Sequence, residues 1–432
     1  MDSIMPFLPL ILMLVFMAIK IPISYSLILS SLVYFVFINT GMPIEVLVQR
    51  MVAASASFPL LAVPFFVFAG TVIAYSGIAD RLMAMAELIT GHMKGGLAQV
   101  NVILSLLMSG VAGSANADAA MQSKMLVPEM VKRGYGKPFS GALTATSAVI
   151  TVILPPGIGL ILYALMAEQS VGRMFMAGYI PGLMLVAALM ITVSILARKY
   201  GYQPSRDRRG TGRELWEQFR ESIWALIMPF GLLMGLRMGL FSASEAGAVA
   251  AVYTLIIGFF VYKQIKMRDM PKIIRESVEA TCSVMLLIVS ASAFGFYLSL
   301  ERIPHLISQF LVGLTDNAIL LLLIINVFLL LIGMVVEGTA SLIILTPILF
   351  PAVTSLGVDP IHFGIIMVLN ITIGGVTPPL GTIMFVTCTI ANIKISEFIK
   401  ALWPFLLALF VTLMLITLLP FTATFLPNLV FG

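Results

Sequence analysis

Apolar runs of roughly 20 residues, each long enough to cross a hydrocarbon core about 30 Å thick, recur from one end of the chain to the other. Short polar turns separate them, and the longest polar stretch, from Lys199 to Glu221, has only the size of a loop. No water inside a bilayer can satisfy backbone groups, so each run must pair its own N–H and C=O groups and is a helix. Barrel strands would alternate in polarity, and that alternation is missing. The pattern predicts an all-α polytopic membrane protein with about ten full spans and two re-entrant helical hairpins.

The pattern also repeats. Two Pro-Pro pairs occur, Pro155-Pro156 and Pro378-Pro379. The shift that carries the first pair onto the second also carries Gly110 onto Gly333, Pro128 onto Pro351, Gly134 onto Gly357 and Gly141 onto Gly364, without a gap. Gly and Pro fix unusual backbone geometry, so a co-linear set of them points to two related halves. The first is residues 1–200, with a hairpin at about 97–130 and a broken helix at about 138–167. A cytoplasmic linker follows at 201–221, then a second half at 222–432, with a hairpin at about 318–353 and a broken helix at about 361–391. In each half two spans come first, then a third (about 51–76 and 277–299), then an amphipathic stretch (78–91 and 301–315).

Charge sets the orientation. Arg198, Lys199, Arg206, Arg208, Arg209 and Arg213 mark one loop as cytoplasmic, and Lys263, Lys266, Arg268, Lys272 and Arg275 mark another. The apolar pair between them, about 223–240 and 244–262, goes out and back. The matching first-half pair carries Lys20 at its turn, which suits the cytoplasmic side. The two pairs therefore run in opposite senses, as inverted repeats require, with both chain ends periplasmic.

The candidate chemistry sits at the interruptions. One apolar stretch is broken by SGVAGSANADAA (Ser109–Ala120), the other by GMVVEGTASL (Gly333–Leu342). Gly, Ser, Asn and Asp are poor helix formers, and non-helical backbone at membrane depth persists only inside protein or along a wet cavity. Each arm has about 15 residues, so each tip reaches the bilayer midplane. At Pro155-Pro156-Gly157 and Pro378-Pro379 the helical ladder cannot continue, because proline has no N–H. Freed carbonyls and hydroxyls suit Na⁺, and half-helix N-termini suit a carboxylate. Asp118 and Glu337 are either ligands or interior groups that hold helices together. Glu168 and Glu245 fall near span ends.

Composition narrows the function. The chain is 60% hydrophobic and 10% charged, where a soluble domain carries about 25% charge. The net charge of +5 comes from loop residues and is no sign of nucleic-acid binding. Cys282 and Cys388 both fall in apolar runs and read as small buried hydrophobes, not a disulfide. His92, His305 and His362 share no metal spacing, and the 28 methionines are scattered as packing or lipid-facing residues. No nucleotide-binding G-x-x-x-x-G-K-[ST] motif is present, and no paired nucleophile and base falls at one depth. A primary pump and a membrane-embedded enzyme are therefore disfavoured; duplicated tips suit alternating access better than a channel.

At these interruptions the sequence resembles the large membrane subunit of TRAP (tripartite ATP-independent periplasmic) transporters, within the ion-transporter superfamily. The likeness rests on Ser109–Ala117, LVPEMVKRGY (Leu126–Tyr135), LPPGIG (Leu154–Gly159), EGTASLIILTPILFP (Glu337–Pro351) and GGVTPPLG (Gly374–Gly381). It implies ATP-independent, Na⁺-coupled uptake of a C4-dicarboxylate, a sialic acid or a similar carboxylate, with no cofactor. It implies as partners a small four-span membrane subunit and a periplasmic substrate-binding protein. It also implies an elevator-type transport domain sliding on a scaffold in the inner membrane. Under this resemblance Ser109, Gly110, Ser114 and Asn116 with Pro155 and Gly157 form one Na⁺ site. Gly333, Gly338 and Thr339 with Gly374, Gly375 and Thr377 form another. The substrate lies between the tips, at Ala115, Asn116, Asp118, Pro156, Glu337, Thr339 and Pro379. The chain starts at its first span, which implies an unfused subunit whose partner is a separate chain. Glu337 stands where the first tip has Ser114, so the two sites need not be equivalent. A self-sufficient Na⁺–carboxylate symporter of the same superfamily is the nearest alternative.

Overall fold

A computed structural model describes residues 5–39 and 41–432, apart from the side chains at 59, 110–112, 233, 243 and 312. The described residues form α-helices with a few 3₁₀ and π turns and no strand. The first half begins with α1 (Leu8–Ala18), α2 (Ile23–Val33), α3 (Ile44–Ser55), α4 (Ala62–Tyr75) and α5 (Ile78–Thr90). Its hairpin is α6 (Gly96–Ala112) and α7 (Ala115–Lys132). Its broken helix is α8 (Lys137–Ser147) and α9 (Val149–Ile153), then α10 (Ile158–Met166). It closes with α11 (Val171–Ala177) and α12 (Tyr179–Tyr200). The second half begins with α13 (Gly212–Arg237), α14 (Ala243–Ile256), α15 (Met270–Leu300) and α16 (Ile303–Leu314). Its hairpin is α17 (Ala318–Gly333) and α18 (Gly338–Ser355), and its broken helix is α19 (Pro360–Val376) and α20 (Thr382–Ala391). α21 (Ile395–Leu418) and α22 (Phe421–Phe431) end the chain.

The spacing read from the prolines recurs in the element bounds. The shift that carries Pro155 onto Pro378 carries Ala115, the start of α7, onto Gly338, the start of α18. It also carries Lys137, the start of α8, onto Pro360, the start of α19. Ile158, the start of α10, falls on Gly381, just before α20 starts at Thr382, so the second break is one residue longer. Both Pro-Pro peptide bonds are cis.

Several expectations are corrected. The linker 201–221 is loop only to Thr211. There the Thr211 side chain accepts from the Glu214 N–H and Glu214 caps back, and this capping box starts α13 at Gly212. The expected first-half span 51–76 is two helices, α3 and α4, separated by a 3₁₀ turn at Phe58–Leu61. Its second-half counterpart is one 31-residue helix, α15. Cys388 is buried as expected, but Cys282, on α15, is exposed. An apolar run says nothing of which face meets lipid. Among the described residues six helices are long and apolar enough to cross a membrane, or eight if two bent pairs each count once. Those pairs are α4–α5, bent by 71°, and α8–α9 with α10, bent by 46°.

The two halves interlock. The second arm of each hairpin packs on the second arm of the other half's broken helix, α7 on α20 and α18 on α10. Tyr163 on α10 donates to the Pro360 carbonyl at 2.7 Å, tying the halves again. Within each half a buried polar clamp joins the hairpin's first arm to the broken helix. Asn101 on α6 donates to Thr144 (2.9 Å) and accepts from Ser147 (2.7 Å) on α8. Asn370 on α19 donates to the side chain (2.8 Å) and carbonyl (2.9 Å) of Asn326 on α17. A buried amide without a partner is costly, so these pairs fix the register of each hairpin. α4 and α15 pack together beside the hairpins.

Candidate functional site

The two tips and the two breaks meet at one cavity of about 490 Å³, closed on another side by α4 and α15. Backbone approaches that only glycine permits hold each tip on its own break. In the first half Gly113 ends α6 with φ +58°, and a Cβ there would lie 2.7 Å from the Pro156 carbonyl oxygen. The Gly113 carbonyl accepts from the Ile158 N–H at 3.1 Å. In the second half a Cβ on Gly374 would lie 2.6 Å from Gly333 Cα, and the Leu380 N–H donates to the Met334 carbonyl at 3.2 Å.

Four helices start at this cavity: α7 at Ala115, α10 at Ile158, α18 at Gly338 and α20 at Thr382, and all four of these residues line it. Each N-terminus carries about half a positive charge. Against them stand three lining carboxylates, Asp118, Glu276 and Glu337, with no Lys, Arg or His among the described lining residues. Four half-charges amount to roughly +2, and the Lys272 ammonium beside Glu276 adds one more, so the three acids are about balanced. The cavity therefore has anchors for an anion and acidic groups beside them.

The carboxylates differ. Asp118, fully buried, accepts through Oδ2 from Ser105 (3.0 Å) and Gln122 (2.8 Å), while its Oδ1 has no partner. Asn116 Oδ1, two residues away, is also buried without a partner. Oxygen acceptors left empty in a buried site fit a hard cation such as Na⁺. Glu337 is spent differently: it is the N-cap of α18 and accepts from the Ala340 N–H at 3.0 Å. Glu276 on α15 accepts from the Tyr75 hydroxyl at 2.8 Å, and the Lys272 ammonium lies 4.0 Å from it and 5.4 Å from the Tyr75 ring centre.

The expected site residues divide. Ser114, Ala115, Asn116, Asp118, Glu337, Gly338, Thr339 and Gly375 line the cavity together. Ser109 and Thr377 do not; their hydroxyls donate within their own helices, to Leu106 (2.6 Å) and Ile373 (2.7 Å). Pro155, Pro156 and Gly157 are buried behind the first break, and a Cβ on Gly157 would meet the Val152 carbonyl oxygen at 2.0 Å. Gly333 and Gly374 are the contact between tip and break, and Pro379 is exposed and does not line the cavity. The backbone of Gly110 lies in the last turn of α6, and its surroundings lie outside the described residues. Sequence reasoning missed Thr71 on α4, Glu276 on α15, Thr372 and Thr382. Glu276 had a signal, an acid at the edge of an apolar run, but the expected span begins just after it.

Known proteins place this arrangement. Residues 10–422 match the family described as the tripartite ATP-independent periplasmic transporter, DctM component. The chain is 35% identical over 423 residues to the sialic acid TRAP transporter permease protein SiaT of Haemophilus influenzae, covering 98% of this chain and 68% of that one. It is 34% identical over 422 residues to the C4-dicarboxylate TRAP transporter large permease protein DctM of Rhodobacter capsulatus, covering 94% and 95%. Its fold is similar to the crystal structure of the Alcanivorax borkumensis YdaH transporter, with a TM-score of 0.66, 14% identity and coverage of 95% and 98%. With its helical tips and breaks gathered on one cavity, the chain belongs to the DctM component family of the tripartite ATP-independent periplasmic transporters.

Proposed function

We propose that this chain carries an organic acid across the inner membrane together with Na⁺, without ATP, after a periplasmic binding protein delivers the acid and with a small membrane subunit at its side. The observation that carries the ion coupling is the pair of buried acceptor oxygens without a partner at the first tip, Asp118 Oδ1 and Asn116 Oδ1. A carboxylate entering alone would add a negative charge that nothing offsets, which is worst in a dry site. Cations entering with it offset that charge, and the free Asn116 and Asp118 oxygens are where the first would bind. The helix N-termini then hold the carboxylate between the tips. The relatives named for sialic acid and C4-dicarboxylates support a carboxylate as cargo.

Inverted repeats fit the recurring bounds of the hairpins and breaks and the crossed packing of α7 on α20 and α18 on α10. On this reading shorter helices pair into spans beyond the six to eight long ones, both chain ends are periplasmic, and the hairpins with the broken helices move as an elevator against α4 and α15.

The test is uptake into proteoliposomes holding this chain and its small subunit, under an inward Na⁺ gradient, with sialic acid or succinate. Uptake that needs both Na⁺ and the binding protein is expected. Na⁺-driven uptake without the binding protein overturns the tripartite part, and uptake indifferent to Na⁺ overturns the coupling.

A further inference from the structure

A second cavity, also of about 490 Å³, lies between α7 and α20 and has the opposite chemistry. Its polar lining is Ser123, Lys124 and Lys137; the remainder is apolar, and no acid lines it among the described residues. The Lys124 ammonium has no ion-pair or hydrogen-bond partner among the described residues. Lys137 gives one hydrogen bond to the Asn392 carbonyl at 2.9 Å and keeps further donors. Ser123 is 1% exposed, and its hydroxyl oxygen has no partner. One turn above Ala391 of the same wall, the Thr387 hydroxyl is buried and unpartnered too.

Position leaves these groups open to a ligand. Lys124 lies nine residues below the start of α7 (124 − 115), roughly 14 Å from the tip, and eight residues above its end. With the tip at the midplane of a core about 30 Å thick, that depth is the edge of the hydrocarbon, and Lys124, like Lys137, is exposed, so both ammonium groups are open to an ion from the aqueous side. The register-matched position in the second half is Pro347, so the repeat does not require a lysine there. Two exposed ammonium groups and a buried hydroxyl without a partner, lining one pocket with no acid among the described residues, are donors suited to an oxyanion.

We propose that the cleft between α7 and α20 binds a small oxyanion, a carboxylate or a phosphate, through the ammonium groups of Lys124 and Lys137 and the Ser123 hydroxyl. The cleft opens at the end of α7, where Arg133 donates to the Ser205 carbonyl at 3.1 Å and so adjoins the basic loop after α12. The oxyanion reaches it either dissolved in the aqueous phase or as a lipid headgroup. The inference does not rest on Na⁺ coupling, because its test reads binding and not transport.

The full chain is purified in neutral detergent and titrated with inorganic phosphate at constant ionic strength while its thermal midpoint is followed. In parallel, retained phosphatidylglycerol is counted by native mass spectrometry from nanodiscs of phosphatidylcholine and phosphatidylglycerol. Phosphate should stabilise the wild type saturably, and Lys124→Gln should raise the half-saturating concentration by about tenfold, the loss of one charge-assisted contact. Ser123→Ala, the smaller change, should raise it severalfold, and Asn116→Leu in the other cavity should leave it unchanged. If phosphate has no effect but Lys124→Gln and Ser123→Ala both release phosphatidylglycerol, the site is a headgroup site. The proposal is overturned if neither ligand responds to Lys124 and Ser123, or if Asn116→Leu alone removes the phosphate effect.

Discussion

The two hairpins start their second arms at register-matched positions, Ala115 and Gly338, and reach the same cavity, yet they use their polar groups in different ways. The first tip keeps acceptors in reserve: Asp118 and Asn116 each hold a buried oxygen with no partner, and its N-cap Ser114 makes no capping bond. The second tip has spent its acid, because Glu337 caps its own helix. Like the first tip, it is seated by a glycine approach, here of Gly333 and Gly374. The difference teaches that a repeated backbone need not repeat its chemistry. Under the proposed coupling, the first tip takes up a cation and the second holds a helix end in place beside the cargo.

Four substitutions break or sharpen this contrast. Asn116→Leu removes one reserved oxygen and fills its space; Na⁺-driven uptake in proteoliposomes should be abolished while the chain stays folded by circular dichroism. Asp118→Asn keeps the size but removes the charge. Contacts to a charged group are worth about 1.5–3 kcal/mol, so the Na⁺ concentration for half-maximal uptake should rise by about 10- to 100-fold. Glu337→Ala in the other tip should act on stability, lowering it by about 0.5–2 kcal/mol in a thermal melt through loss of the cap. Its Na⁺ concentration for half-maximal uptake should match the wild type; a shift as large as that of Asp118→Asn would erase the contrast between the tips. Ser114→Ala removes a side chain that caps nothing and should change the melt by less than about 0.5 kcal/mol.

The backbone of the site was legible in the sequence. Poor helix formers in an apolar run, and prolines that cannot donate, locate the hairpin breaks and helix breaks to within a few residues of Gly113, Glu337, Gly157 and Thr377. The walls were not legible. Thr71 and Glu276 come from helices distant in sequence, and nothing in a local pattern says that α4 and α15 face the tips. Nor does a pattern show which hydroxyl is free. Ser109 and Thr377 look like ligands by type and neighbourhood, but both are bonded within their helices, while the Asn116 oxygen is not. Cys282 failed for a related reason, since apolar surroundings in sequence can mean lipid as well as core.

The crossed packing of the hairpins also sets an order of assembly. α7 ends at Lys132 and α20 begins only at Thr382, so the first hairpin leaves the ribosome long before the helix it rests on exists. Until α20 arrives, the flank of α7 that carries Ser123 and Lys124 has only lipid, water or a helper protein to cover it. A chain cut short before Thr382 would keep that polar flank uncovered for good, a mark by which membrane quality control could tell unfinished copies from finished ones.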